Sequence, residues 1–266
     1  MQQKLISFNL YAEMGFLKKP EMNEGIYFTY NMLHKPALLG ILGAILGLKG
    51  YEKNSTKKEV FLPEYYQKLK HLKIGIKPLN SHQGNFSKTT IVYNNSIGFA
   101  SKETGGNLII KEQTLIEPNY QIFLLLDVED TLEKQLYTYI KEQKAVFLPY
   151  LGKNDFSVWW NKEEVQEYPA FKLFDYSHEY QIDSIFIKEE RVNDFLAKTL
   201  TRRNRSQAVP NYFYFEKLPT MFHEQLVQYE LDDFVYSNTS LNAELHFSNN
   251  PLFQLTPQSK QLIQLF

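Results

Sequence analysis

The sequence predicts an α+β fold. Across the first 150 or so residues, extended stretches and helical stretches alternate. Beyond them, the chain shows period-two alternation and no helical period. One thirteen-residue run, Pro36 to Leu48, has no charged or polar side chain and contains three glycines.

"KLISFNLYA" (4–12) alternates and is bounded by the polar "EMG", which marks a strand. "MGFLKKPEMNEG" reads as a loop with two adjacent lysines, and "IYFTYNML" (26–33) is aromatic and extended. The glycine run that follows is too short to span a membrane, which takes ~20 apolar residues. It also lacks the head and cleavage site of a signal peptide, and the Gly-Lys-Ser/Thr or GxGxxG pattern of a phosphate loop. A buried helix over 36–48 remains, with Pro36 suited to its first turn. Gly40, Gly43 and Gly47 share one face. Each costs about 1 kcal/mol relative to Ala, so that face is expected to recover the loss by lying close against a sheet. "LPEYYQKLKHL" (62–72) reads as a short helix and "KIGIKPL" (73–79) as a strand ended by Pro78. "YQIFLLLD" (120–127) is the continuous apolar run of a strand covered on both faces. "DTLEKQLYTYI" (130–140) opens with Asp130 and Glu133 in capping-box spacing. "AVFLPYLG" (145–152) reads as a last strand, stopped by Pro149.

The order is β-α-β-β-α-β, the pattern of ferredoxin-like domains and of the RRM. The expected layout is a ferredoxin-like (RRM-like) domain over 1–152 and a smaller β-rich part over 153–266. In the latter, "DSIFIKE", "YFYFEK", "DDFVYSN" and "LNAELHF" alternate like half-buried strands. An insert over about 80–117 holds strand-like "KTTIVYN" and "NLIIKEQ" around Gly105-Gly106. It reads as a protruding β-hairpin carrying Lys88, Lys102 and Lys111 among Phe86, Tyr93 and Phe99.

Composition narrows the function. With 266 residues, 43% hydrophobic and 15% aromatic, the chain can bury a sizeable core. It has no cysteine, which excludes disulfide scaffolds, thiolate metal sites and cysteine catalysis and fits a cytoplasmic protein. No targeting or membrane-spanning segment is expected. Net charge is −1, but it is unevenly placed. Residues 1–120 hold 15 Lys against 9 Glu, a net of +6, and the remaining 14 basic and 21 acidic residues give −7. A basic half and an acidic half suggest two kinds of partner.

No metal or catalytic constellation stands out. "HEQLV" from His223 lacks the second histidine of a zinc motif, and no GxSxG elbow occurs. Six scattered histidines are ordinarily satisfied surface or core residues. No cofactor is expected. Of 25 Lys and 4 Arg, Arg202, Arg203 and Arg205 crowd into "TRRNRS". Arg pairs with phosphate in a bidentate way, so these form a candidate anion or acidic-partner site, or a solvated basic turn. Gly152, Lys153 and Asn154 form a turn able to aim backbone N–H groups and an ammonium at phosphate. Lys18, Lys19, Tyr30, His34 and Lys35 place cations and rings around the first strand and the glycine helix. Rings stack bases while lysines hold the backbone, although Tyr27, Phe28 and Tyr30 also suit an ordinary core.

In this order, "GFLKK", "IYFTYNMLHKP", "ALLGILGAILG", a hairpin insert, "EPNYQIFLLLD", "LPYLGKNDF" and "YFEKLPTMFHEQLVQYELDDFVY" resemble the fifth CRISPR-associated (Cas) protein family of the RAMP superfamily. The similarity runs over most of the chain. The glycine helix and the "YLGKN" turn are its most specific parts, and "EKLP" points to the type I-B variety. The resemblance implies a ferredoxin-like domain with a thumb-like hairpin. It implies a Cascade subunit that caps the repeat-derived 5′ handle of the CRISPR guide RNA without catalysis. The implied partners are the seventh-family backbone subunit and the eighth-family large subunit, with target DNA near the protospacer-adjacent motif a further one. One branch of the family is instead a metal-independent endoribonuclease acting on repeat RNA through Tyr, Lys and His. His34-Lys35 or His71-Lys73 with a tyrosine are the groups that could serve that chemistry here, but the branch's catalytic motif has no match in this chain. The residues expected to meet RNA are Lys18, Lys19, Tyr30, His34, Lys35, Lys88, Tyr93, Lys102, Lys111, Gly152, Lys153, Asn154, Arg202, Arg203 and Arg205.

Overall fold

A computed structural model describes residues 2–20, 25–51, 62–94, 108–189, 210–226, 228–257 and 260–266. It is a sheet-rich mixed α/β fold with few helices. The central strand is β1 (Gln3–Ala12). It pairs antiparallel along its length with β6 (Asn119–Asp127), from Gln3↔Asp127 to Tyr11↔Asn119. Strand β3 (Lys73–Leu79) lies on the far side of β6. On the free edge of β1 sit two short strands, β7 (Val158–Trp159) and β8 (Gln166–Glu167). The order is therefore β3-β6-β1-β7.

Helix α1 (Lys35–Leu46) starts where His34 accepts from the Ala37 N–H and ends at Gly47, whose φ of 77° is left-handed. Its Leu38, Leu39, Leu42 and Ile45 are fully buried. At about 1.5–3 kcal/mol each, they exceed the roughly 2 kcal/mol that the interior glycines Gly40 and Gly43 cost; Gly47 sits in the left-handed cap, where glycine is favoured. The glycines themselves do not face a sheet, contrary to the expectation above. Gly43 admits Tyr65 of α2 (Glu64–Leu69), because a Cβ at Gly43 would overlap the Tyr65 Cβ. Gly40 lies at ordinary contact distance, 3.7 Å, from the Tyr65 ring.

Helix α3 (Thr131–Glu142) is capped by Asp130, whose Oδ1 accepts from the Leu132 and Glu133 N–H groups at 2.9 Å each. The Glu133 carboxylate does not complete a capping box. It accepts from the Asp127 N–H at 2.7 Å and lies 2.9 Å from His71 Nε2.

The strand expected at 145–152 is absent. Gln143 turns left-handed after α3. The Val146 and Phe147 N–H groups then donate to the Ile45 and Ala44 carbonyls in the last turn of α1, where Ala44 O also takes the Gly47 N–H at 3.3 Å. Hydrogen bonding that a strand would give to a neighbour is spent on a helix terminus. Val146, Phe147 and Leu148 are consequently 53%, 55% and 70% exposed, and β7 and β8 take the edge of the sheet.

The insert does form a hairpin. Strand β4 (Lys88–Asn94) pairs with β5 (Ile109–Ile116) from Lys88↔Leu115 to Asn94↔Ile109. A two-residue strand β2 (Met14–Gly15) joins the other edge of β5. Lys102 and Phe99 lie outside the described residues, as do Arg202, Arg203 and Arg205.

In the C-terminal part, β11 (Phe213–Phe222) and β12 (Tyr229–Ser237) form a long antiparallel pair, with β10 (Phe186–Ile187) beside β12. A second small sheet joins β9 (Lys172–Leu173), β13 (Leu252–Gln254) and β14 (Leu262–Gln264). "LNAELHF" is not a strand; only Leu241 makes a bridge, to Tyr180. Leu218, Phe234 and Phe266 enter the same core as Ile6, Phe8 and α1. On the other face of the sheet, Tyr168, Phe253, Ile263 and Leu265 cover Leu5, Phe123 and Leu125.

Candidate nucleic-acid interface

Four sequence motifs meet beside α1. "GFLKK" runs antiparallel to the aromatic segment: the Lys19 N–H donates to Phe28 O at 2.8 Å, and the Tyr30 N–H to Leu17 O at 2.7 Å. The aromatic segment is held to the hairpin, since the Tyr27 N–H donates to Lys111 O and the Gln113 N–H to Tyr27 O, both at 2.9 Å. The "YLGKN" turn crosses over "GFLKK": the Phe16 N–H donates to Leu151 O at 3.1 Å. Gly152 has φ +83°, and any Cβ there would overlap the Phe16 carbonyl. A glycine is therefore required twice over at this crossing.

Two buried carboxylates tie these pieces together. Glu112 on β5 is 5% exposed. Its oxygens accept from Lys153 Nζ and from the Tyr93 hydroxyl, each at 2.7 Å. Burial works against the Lys153 ammonium and the Glu112 carboxylate more than offsets it, so its pKa sits above the usual lysine value. Glu216 on β11 accepts from the Asn31 and Met32 N–H groups at 3.0 Å each, from the Tyr214 hydroxyl at 2.8 Å, and from Lys19 at 3.0 Å. Asn31 in turn accepts from Lys88 Nζ at 2.7 Å, and burial holds that ammonium below the usual lysine range.

The expected residues therefore separate. Lys18 and Lys111 are exposed, with Lys18 Nζ 4.1 Å above the Tyr27 ring. Lys19, Lys88 and Lys153 are anchored to carboxylate or amide oxygens yet stay near the surface. Tyr30 is buried, 5.0 Å from Lys19 Nζ and edge-on to His34. Tyr93 is a hairpin ring, 39% exposed, that braces Lys153. Asn154 is exposed in the turn. Lys35 does not join them: it is turned inward, 9% exposed, and its Nζ donates to the Phe266 main-chain oxygen at 3.0 Å. Burial, aided by Lys73, lowers its pKa to about 8. His34 is also internal. Its Nδ1 takes the Ala37 N–H at 3.3 Å, and burial pulls its pKa down to about 3. It is neutral at physiological pH, with its proton on Nε2.

These elements enclose a cleft of about 930 Å³. Its floor is the Pro36, Ala37, Gly40, Ile41 and Ala44 face of α1. Phe147, Leu148 and Tyr150 line one part, and Tyr65, Phe222 and Tyr229 another. Lys18, Lys49 and Lys153 also line it, against the single carboxylate of Glu112. The sequence reading missed Tyr65, Tyr150, Phe222 and Tyr229. "HEQLVQYE" carries no local mark that its Tyr229 returns to His34, with ring centroids 5.4 Å apart. Among the described residues, no group of three His, Asp or Glu could hold a metal ion, and no helix is long and apolar enough to cross a membrane.

No protein-family model matches the chain. No curated protein matches it either. Among solved structures, the chain is similar to a chain of a CRISPR RNA-guided surveillance complex, with 12% identity, 91% of this chain and 93% of that chain covered, and a TM-score of 0.45. It is similar to a CRISPR protein from Archaeoglobus fulgidus, with 12% identity, 98% of each chain covered and a TM-score of 0.45. It is similar to a chain of the Type III-B Cmr-beta complex bound to cognate target RNA and AMPPnP, with 12% identity, 91% and 86% covered and a TM-score of 0.43.

Proposed function

We propose that this chain is a CRISPR-associated subunit of a cytoplasmic ribonucleoprotein complex, of the fifth Cas family and type I-B variety. In this reading it grips the 5′ handle of the guide RNA without cutting it. The observation that carries the reading is the convergence of "GFLKK", the hairpin and "YLGKN" on one cationic, aromatic cleft, with "IYFTY" hydrogen-bonded to the first two. These are the motifs on which the sequence resemblance rests. The strand order β3-β6-β1-β7 supports the ferredoxin-like assignment within the RAMP superfamily. Lys18 and Lys153 meet the RNA backbone, and the acidic residues beyond position 120 face the backbone and large subunits.

The endoribonuclease reading fares less well. General acid/base work near neutral pH needs an accessible group that titrates there; burial holds His34 down at about 3, and Lys35, lowered to about 8, is turned inward with its ammonium on the Phe266 main-chain oxygen. His71 is paired with Glu133 beside α3. The test is incubation of the purified chain with labelled repeat RNA and with handle-bearing guide RNA in EDTA. Retention of the handle RNA without new fragments is expected. Cleavage at a single position would replace this reading with the nuclease one.

A further inference from the structure

The three glycines of α1 are not equivalent. Gly47 is explained by its left-handed turn and Gly43 by the close approach of Tyr65. Gly40 has neither reason. A Cβ there would meet only the Tyr65 ring, at 3.7 Å, which is ordinary contact. Alanine would fit and would favour the helix. What Gly40 does border is the cleft. Internal packing leaves this glycine unexplained, and close approach of something to the helix backbone accounts for it.

The cleft lining says what that something is. Besides its smooth floor it presents the Tyr65, Tyr150 and Tyr229 phenols and the ammoniums of Lys18, Lys49 and Lys153. Burial pushes Tyr65 and Tyr229 up, so both remain hydrogen-bond donors. A net cationic lining with several tyrosine rings fits an anion with a flat, stackable body. The volume falls in the range of small-ligand pockets, roughly 300–1,000 Å³.

We propose that the cleft takes one unstacked nucleobase of the bound single-stranded RNA, laid on the Gly40 floor among the tyrosines, with its phosphate at Lys18 and Lys153. This rests on the RNA-binding reading above. The base sits on the helix side of the fold and not on the sheet.

The test compares oligoadenylate with an abasic ribose-phosphate oligomer of equal length, bound to the full chain. Wild type is expected to hold oligoadenylate more tightly, by about five-fold to a hundred-fold, the range of one stacked base. A 2-aminopurine reporter within it should be quenched on binding. Gly40→Leu fills the floor and should abolish that preference while leaving abasic binding intact. Gly40→Ala, which the fold accommodates, should weaken it partly and keep the melting temperature at or above wild type. Lys18→Ala should weaken both oligomers. If wild type binds neither oligomer, the RNA reading and the slot fall together. If wild type binds both equally and Gly40→Leu changes nothing, RNA binding stands and the slot is wrong; the cleft then belongs to a protein partner.

Discussion

The covered face of the central sheet and the cleft beside α1 differ as surfaces. On the sheet, Leu5, Ser7 and Phe123 lie beneath Tyr168, Phe253, Ile263 and Leu265. The Gln264 carbonyl stands 3.0 Å from where a Cβ of Gly75 would be. Ser7, at 0% exposure, satisfies its hydroxyl internally against the Tyr168 hydroxyl at 2.9 Å. The cleft is open; its Lys153 is steadied by Glu112 from β5, and the neighbouring Lys19 by Glu216 from β11. An RRM stacks RNA on its sheet. Here the C-terminal strands cover that face; among the described residues, Trp159, stacked on Tyr11 at its end, keeps an exposed ring. In the proposed reading, the strand order does not bring the RRM's binding surface with it. What decides is which face the rest of the chain covers.

This contrast can be broken from either side. The largest effect belongs to the sealed face: Phe253→Ala should cost about 3–5 kcal/mol in denaturant unfolding, through a cavity under Phe171 and Phe123. RNA affinity of the remaining folded protein should be unchanged. Glu216→Ala should cost about 3 kcal/mol, since it strands two buried N–H donors and frees Lys19. Unlike Phe253→Ala, it should also weaken RNA binding, because the aromatic segment loses its anchor.

Acid should act through His34. Its pKa falls from 6.5 unfolded to about 3 folded, so the unfolded chain binds the extra proton between those values. The contribution is complete above pH 6.5 and declines as pH drops toward 3, by about 3 kcal/mol at pH 4. His34→Asn puts a capping oxygen in place of the His34 Nδ1 acceptor and should flatten that part of the stability–pH curve. The smallest effect on stability is Lys18→Ala, expected within about 0.5 kcal/mol. Its mark should be on RNA, lowering the salt slope of log affinity by about 1.

Much of the fold was readable from local pattern. The apolar run at 120–127 is β6, the Asp130 cap starts α3, and "KTTIVYN" pairs with the strand after Gly105-Gly106. The failure at 145–152 has a physical cause. "AVFLPY" is apolar enough for a strand, but nothing local reveals that two of its N–H groups cap α1 a hundred residues earlier. Pro149, lacking an N–H, was the one sign against a strand. The site divides in the same way. Cations and rings were visible in "GFLKK" and "YLGKN". Their ties to Glu112 and Glu216, the inward turn of Lys35 and the arrival of Tyr229 are tertiary facts without a local signal.

The central claim is that RNA lies in the cleft and not on the sheet. Crosslinking of 4-thiouridine-bearing guide RNA to the full chain, with the modified peptides mapped by mass spectrometry, tests it most directly. The account predicts adducts on Tyr65, Tyr150 or Tyr229 and on the 15–19 segment. Adducts confined to Tyr11 and Trp159, at the uncovered end of the sheet, would contradict it.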